Sequence, residues 1–266
     1  MPQHIAVQEH LLPGDTILHK WDRARRMGFD GIELRGDGAS IAARLPELRA
    51  ARAAGAVFPS ICTISDRFIG DFDADRRAEA VASMKTLLSV IAELGGRGAI
   101  TPAAFGMHSS VLPPFEAPRN AGGDSAALLD TLGQLGRHAH AEGSLVLLEP
   151  LNRYEDHMLN GLGQGTRLIE ALGEPSVRLM ADLFHMNIEE ADSAAAIDAA
   201  MPHVAHLHLA DSNRLEPGQG HVDFAAVFAV LARHGFAGAC ALECRLSDAA
   251  ERSLPATLAF LRRAGG

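Results

Sequence analysis

Cysteine is scarce in this 266-residue chain, which contains only Cys62, Cys240 and Cys244. Three cysteines without C-x-x-C spacing are too few for a disulfide framework and are typical of a reducing compartment. Long apolar runs are also lacking, because no stretch of about 18 apolar residues occurs that could span a membrane. The N-terminus shows no basic segment followed by an apolar run, so no signal peptide is predicted and we expect a cytoplasmic protein.

Positive charge is in deficit as well. Lysine and arginine together number 24 against 33 aspartate and glutamate residues, which gives a formal net charge of −9. A net negative surface argues against nucleic acid as the main partner, since that partner is a chain of phosphates. The charge balance leaves open a small anionic substrate that is held by one local arginine.

Short apolar runs alternate with longer alanine- and leucine-rich segments along the whole chain. The runs predict eight strands, at His4–Val7, Gly31–Arg35, Val57–Ile64, Gly98–Ala103, Leu145–Leu151, Val177–Leu183, Val204–Asp211 and Gly238–Cys244. The segments between them predict eight helices, at Thr16–Met27, Ile41–Ala54, Arg76–Leu94, Ser125–Ala141, Gly165–Leu172, Ala191–Met201, Phe224–His234 and Ser247–Arg263. Strict alternation indicates parallel strands joined by crossover helices, and eight such units favour closure. We therefore expect an α/β protein, a single (β/α)8 TIM barrel in which residues 1–266 form one domain.

An open doubly wound sheet is the main alternative to this barrel. It would bind a dinucleotide through a G-x-G-x-x-G turn after the first strand, where this chain instead has Gln8-Glu-His-Leu-Leu-Pro-Gly-Asp15. Glycines such as Gly28 and Gly173 fall between predicted helices and strands, where a left-handed helix cap is favourable. One long connection, Phe105–Gly123, contains His108 and follows the fourth strand, a position typical of a lid or substrate wall.

Four of the predicted strands, numbers five to eight, end in a polar side chain. They are Glu149, Asp182, His208 and Glu243. A single charged residue at a strand end is often only a solvated rim residue. Because the active site of a TIM barrel lies at the carboxyl ends of its strands, four such residues in succession are expected to share one mouth.

Three carboxylates at such close range would repel one another and raise each other's pKa unless a cation lies among them. A divalent metal removes that conflict. Three oxygen donors and one imidazole suit Mn²⁺, Mg²⁺ or Co²⁺, with Zn²⁺ as a further option. Cys240 and Cys244 have the opposite strand parity to Glu243 and are poor ligand candidates.

Several segments carry a family resemblance that covers nearly the whole chain. They are GFDGIEL (28–34), LLEPLNRYE (147–155), ADLFHMNIEE (181–190), HLHLADSNRLEPGQGHVDF (206–224) and ALECR (241–245). The set resembles the xylose isomerase-like barrels, the sugar isomerase and epimerase group, and within it the ketose 3-epimerases of the D-tagatose/D-psicose type. The resemblance implies a divalent metal, usually Mn²⁺, held by the same four strand-end residues. It also implies substrate contacts from Glu155, His185 and Arg214, and it allows a homo-oligomer.

Epimerisation at C3 of a keto sugar requires removal of a proton next to a carbonyl group. A metal stabilises the charge that develops, and inversion needs a base on one face of the carbon and an acid on the other. Glu149 and Glu243 are the predicted catalytic pair. We expect the substrate to be a small keto sugar or sugar acid.

Other functions remain open at this point. The same four ligands would serve an aldose–ketose isomerase, a hydroxypyruvate isomerase-like enzyme or a 3-dehydroshikimate dehydratase. Endonuclease IV shares the barrel but needs a histidine-rich three-zinc site and a basic face, which the scattered histidines and negative charge disfavour. A non-catalytic sugar-binding barrel is the remaining alternative.

Overall fold

The computed structural model describes residues 3–107 and 117–265, which form eight strands and nine α helices. The strands are β1 His4–Gln8, β2 Gly31–Gly36, β3 Ser60–Thr63, β4 Gly98–Pro102, β5 Leu145–Glu149, β6 Val177–Asp182, β7 Val204–Leu209 and β8 Ala239–Leu242. The helices are α1 Ile17–Met27, α2 Gly38–Ala53, α3 Ala74–Glu93, α4 Ala121–Glu142, α5 Leu162–Leu172, α6 Leu183–Glu189, α7 Ser193–Ala200, α8 Phe224–Arg233 and α9 Ala250–Ala264.

The eight strands close into a barrel. Each strand pairs in parallel with its neighbours in chain order, and β8 pairs with β1. The fold is therefore the predicted (β/α)8 TIM barrel. Most of the core lies between the barrel and its helices, while a smaller apolar layer fills the barrel interior with Cys62, Ile100, Leu147, Met180 and Ala205.

Local sequence signals set most of the helix ends. Gly28 and Gly173 follow α1 and α5 with φ of 97° and 66°, the left-handed conformation that glycine adopts without strain. At the opposite ends, Asp37 and Asn120 accept hydrogen bonds from backbone N–H groups in the first turns of α2 and α4. Both helices consequently begin before the predicted starts at Ile41 and Ser125.

The region after β6 differs from the prediction. Instead of one helix at Ala191–Met201, the chain forms α6 directly after the strand and then α7. Asp182 is the last residue of β6 and also caps α6, because its Oδ1 accepts a hydrogen bond from the backbone N–H of Phe184 at 2.7 Å. His185 is thus held on the first turn of a helix rather than on a loop.

A one-residue irregularity interrupts the pairing of β6 with β7. Leu179 pairs with Val204, but the next residue, Met180, pairs with His206. The extra residue in β7 brings His208 level with Asp182 at the carboxyl end of the barrel. Regular pairing would have placed an apolar neighbour there instead.

The predicted connection at Phe105–Gly123 is described only at its two ends. Residues 108–116, including His108, lie outside the described residues, and the connection ends earlier than predicted because α4 begins at Ala121. Among the helices that the structure describes, none is both long and apolar enough to cross a lipid bilayer.

Candidate active site

The four strand-end residues predicted from the sequence meet at one point in the barrel mouth. Each of Glu149, Asp182, His208 and Glu243 offers a ligand atom that lies within 4.8 Å of the other three. The Nδ1 atom of His208 is 3.6 Å from Glu149 Oε1, 3.9 Å from Asp182 Oδ2 and 3.1 Å from Glu243 Oε2. The imidazole therefore faces all three carboxylates with the same nitrogen.

The charges in this cluster conflict unless a cation joins them. Burial, together with the nearby carboxylates, raises the pKa of Glu149 despite the proximity of His208. Two of the buried polar atoms, Glu149 Oε1 and His208 Nδ1, have no hydrogen-bond partner among the described residues. Unpartnered buried polar atoms that converge on one point suit a metal ion, and three oxygens with one nitrogen fit a hard divalent ion.

A buried layer beneath the cluster holds the imidazole of His208 in place. Its Nε2 lies 2.8 Å from Glu33 Oε1, and the other carboxylate oxygen, Glu33 Oε2, accepts a hydrogen bond from Ser60 Oγ at 2.6 Å. Gln8 Nε2 donates to both Glu33 Oε1 at 2.8 Å and Glu243 Oε1 at 3.0 Å. His206 Nε2 is 2.8 Å from Glu33 Oε2. Burial opposes ionisation of His208, but the carboxylates of Glu33 and Glu243 raise its pKa well above the ordinary value. With a metal at the cluster, Glu33 would accept the Nε2 proton and leave Nδ1 as the ligand atom.

His185 is oriented by a residue that the sequence reading did not single out. Its Nδ1 accepts hydrogen bonds from the backbone N–H of Asn152 at 3.1 Å and from Asn152 Nδ2 at 2.8 Å. A neutral imidazole with an accepting Nδ1 carries its proton on Nε2. That nitrogen lies 3.9 Å from Glu155 Oε2 and 3.7 Å from Asp182 Oδ2, so His185 presents an N–H donor beside the cluster.

Arg214 reaches the cluster from the β7–α8 connection. Its two terminal nitrogens each lie 2.6 Å from a carboxylate oxygen, NH1 from Asp182 Oδ2 and NH2 from Glu243 Oε2. The guanidinium also stacks over the Phe184 ring, 4.8 Å from its centroid. With His208, this arginine holds the pKa of Glu243 well below its ordinary value, although burial opposes ionisation.

The connection that carries Arg214 is ordered by Asp211. Its carboxylate accepts backbone hydrogen bonds from Ser212, Gly218 and Val222 at 2.8 to 3.1 Å. Arg214 itself has φ of 62°, the single positive value among the described non-glycine residues. Asp211 therefore orders the connection that carries Arg214.

All seven residues proposed from the sequence lie at or beside one cleft. Glu149, Glu155, His185, Arg214 and Glu243 line it, while Asp182 and His208 lie beneath. The opposite wall is formed by side chains from the β2, β3 and β4 ends, namely Arg35, Cys62, Thr63, Ile64, Ser65, Phe68, Pro102 and Phe105. Cys62 contributes a thiol to this wall. Arg35 has no counterpart in the sequence reading and brings a further cation to the mouth.

Comparisons with known proteins find relatives that match nearly the whole chain. The chain is 36% identical over 260 residues to a 3-dehydro-D-guloside 4-epimerase of Escherichia coli, which covers 97% of this chain and 98% of that protein. It is 34% identical over 199 residues to an L-ribulose 3-epimerase of Mesorhizobium japonicum, covering 73% of this chain and 64% of the relative.

Solved structures show the same likeness. The apo crystal structure of the Escherichia coli 3-keto-D-glucoside 4-epimerase superposes with a TM-score of 0.93 at 36% identity, covering 98% of this chain and 99% of that one. An L-ribulose 3-epimerase structure gives a TM-score of 0.83 at 26% identity over 99% of this chain and 94% of the other. The model of the xylose isomerase-like TIM barrel family matches residues 21–264. This chain therefore belongs to the xylose isomerase-like TIM barrel family.

Proposed function

We propose that this protein epimerises a sugar at the carbon next to a keto group, with C3 of a keto sugar as the reacting centre. One observation carries the proposal. Glu149 and Glu243 project from β5 and β8 into the same cleft, and both come within 4 Å of the imidazole of His208. Two carboxylates from different strands can reach opposite faces of one carbon atom, which is what inversion requires.

In this proposal the two glutamates divide the proton transfers. One carboxylate removes the proton from the reacting carbon, and the other returns a proton from the opposite face. Glu149, Asp182, His208 and Glu243 would hold a divalent metal, with Mn²⁺ the expected ion and Mg²⁺, Co²⁺ or Zn²⁺ as alternatives. When bound, such an ion would stabilise negative charge on the substrate oxygens.

The remaining polar residues would orient the substrate. His185 directs its Nε2–H toward the cleft because Asn152 occupies Nδ1, so it can donate to a carbonyl or hydroxyl oxygen. Glu155 can accept a hydrogen bond from a sugar hydroxyl. Arg214 binds two of the carboxylates directly. It would therefore position them and also contact the O1/O2 end of the sugar.

The test is NMR of a ketose panel in D₂O with metal-saturated enzyme. Epimerisation at C3 incorporates deuterium at C3, whereas aldose–ketose isomerisation would place it at C1 or C2. A dehydratase would act on 3-dehydroshikimate instead, and a non-catalytic binding barrel would give no exchange. Retention of every C3 proton across the panel would refute the proposal.

The assignment of the two proton transfers to Glu149 and Glu243 is tested with the Glu149→Gln variant, whose metal content is measured alongside its turnover. The variant should lose about 10²- to 10⁴-fold in turnover, the usual contribution of a general acid or base. Glu142→Gln, at the exposed end of α4, makes the same charge change outside the cleft and should leave turnover unchanged. A metal-replete Glu149→Gln enzyme with near wild-type turnover would contradict the two-carboxylate mechanism.

C4 epimerisation of a 3-keto glycoside is a second candidate. The relative named as a 3-dehydro-D-guloside 4-epimerase is matched over 98% of its length. Its reacting carbon is also adjacent to a keto group, so the same pair of carboxylates would serve. Deuterium at C4 of a 3-keto glycoside, with none at C3 of free ketoses, would select this reaction.

A further inference from the structure

Arg35 is the cation of the cleft that the proposed chemistry does not use. It lies near the end of β2, two residues after Glu33, and therefore projects to the same side of the strand, into the barrel. Its register partner on β3 is Cys62, which lines the cleft beside it. Arg35 thus stands above the buried Glu33 layer, on the wall opposite Glu155 and His185.

The guanidinium of Arg35 is not satisfied by the protein. Within residues 3–107 and 117–265 it forms no ion pair and no side-chain hydrogen bond, and its Nε is buried without a partner. The carboxylate of Glu9 accepts only the backbone N–H of Arg35, at 2.9 Å. Arg44 binds both oxygens of Glu9 at 2.9 and 2.7 Å, so that carboxylate is already neutralised.

The contrast with Arg214 shows why this charge is available to a ligand. Arg214 is bound to Asp182 and Glu243, each at 2.6 Å. Together with a divalent ion it would balance the three carboxylates of the cluster. Arg35, in contrast, has no carboxylate partner among the described residues, and hydrogen bonds from its guanidinium to an anion would be strong in a partly desolvated cleft.

The space around Arg35 leads away from the reacting centre. Arg35 and Ile64 line the active-site cleft and also an adjoining groove that contains His10 and Lys20. Lys20 Nζ donates to the backbone carbonyl of Glu9 at 2.9 Å. Burial, with the charge of Arg35 close by, lowers the pKa of His10 to about 4, so this imidazole is neutral near pH 7. The groove also holds Arg44 and the carboxylates of Glu9, Asp15 and Glu47, and Arg35 is the charged residue that lines both the groove and the cleft.

We infer that Arg35 forms a subsite for an anionic substituent, a carboxylate or a phosphate, on the part of the keto sugar that lies away from the reacting carbon. The inference rests on the proposed function and deepens it, because it assigns a substrate class. A planar guanidinium can donate two parallel hydrogen bonds to either group. The substrate would then be held between the carboxylate cluster on one side and Arg35 on the other.

The experiment compares three substrates with metal-saturated enzyme: a neutral ketohexose, the same sugar phosphorylated at its terminal carbon, and the matching keto sugar acid. We expect kcat/KM for one of the anionic substrates to be at least about tenfold higher than kcat/KM for the neutral sugar. Arg35→Gln should abolish that preference. Its kcat/KM for the anionic substrate should fall by about 10- to 100-fold, while its kcat/KM for the neutral sugar should stay within about twofold of wild type. Arg35→Lys should retain part of the preference. The anionic substrate whose kcat/KM depends on Arg35 shows whether the subsite binds a carboxylate or a phosphate.

Two further measurements make the result decisive. Arg26→Gln changes the same charge on the exposed face of α1 and should leave all three substrates unaffected. Calorimetric titration of the sugar phosphate and the sugar acid onto metal-loaded protein tests binding without turnover, so it remains informative if no substrate reacts. An equal effect of Arg35→Gln on neutral and anionic sugars, or unchanged anion binding in that variant, would overturn the inference.

Discussion

Replacement of Glu33 by glutamine tests whether the buried layer tunes the proposed metal centre. Glu33 is completely buried, and its Oε1 lies 2.8 Å from both His208 Nε2 and Gln8 Nε2. Its Oε2 is 2.6 Å from Ser60 Oγ and 2.8 Å from His206 Nε2. Glutamine has the same shape but no charge, so it can keep one acceptor for His208 while it removes the anion that polarises the imidazole.

The expected consequence is weaker metal binding with little change in fold. Loss of an outer partner of a metal-bound histidine typically lowers metal affinity by 10- to 100-fold, or about 1.4–2.8 kcal/mol. Isothermal titration of Mn²⁺ into the metal-free protein measures the effect directly, and far-UV circular dichroism checks the fold. Glu93→Gln on α3, an exposed glutamate paired with Arg49, makes the same charge change at the surface. A Glu33→Gln protein that binds Mn²⁺ with wild-type affinity would refute the reasoning.

Three further predictions concern stability. Mn²⁺ at about 100 times its Kd should stabilise the metal-free protein by roughly 2.7 kcal/mol, whereas an unchanged Tm would count against the metal centre. Burial raises the pKa of Asp156 from 3.8 to about 7, so the folded state holds the proton more tightly and stability should fall as pH rises from about 4 to 7. Urea unfolding of Asp156→Asn should show a flatter pH profile, and an unchanged slope would contradict this origin. Gly98→Ala would bring a Cβ within 2.3 Å of the Leu145 carbonyl oxygen and should cost about 1–3 kcal/mol. Gly122→Ala, at an exposed position of α4, is the control, and its unfolding midpoint should be at least as high as that of the wild type.

Much of the site was predictable because strand ends in a TIM barrel converge. The alternation of apolar runs with helical segments predicts the closed barrel, and the polar residues that end strands five to eight predict a shared mouth. The structure brings Glu149, Asp182, His208 and Glu243 within 4.8 Å of one another. Their roles as metal ligands and as the acid–base pair remain predictions, as do the identity of the ion, the oligomeric state and the limits of the domain.

Contacts between distant strands were beyond the reach of the sequence. Glu33 lies on the second strand, and only the folded chain shows its carboxylate beneath His208 of the seventh. Asn152 and Gln8 carry no local signal, because their partners are 33 and 235 residues away. Hydrogen-bond networks of this kind depend on side-chain positions that no periodicity encodes.

The sequence by itself determined the eight strands and most of the helices, since hydrophobic periodicity and glycine positions are local properties of the chain, but it did not predict α6. The tertiary structure alone decided how neighbouring strands align. The extra residue in β7 sets His208 level with Asp182, and closure of the barrel brings Arg214 onto two carboxylates while it leaves Arg35 without one. Register and charge pairing arise from packing between segments far apart in sequence, which is why they emerge only once the barrel has closed.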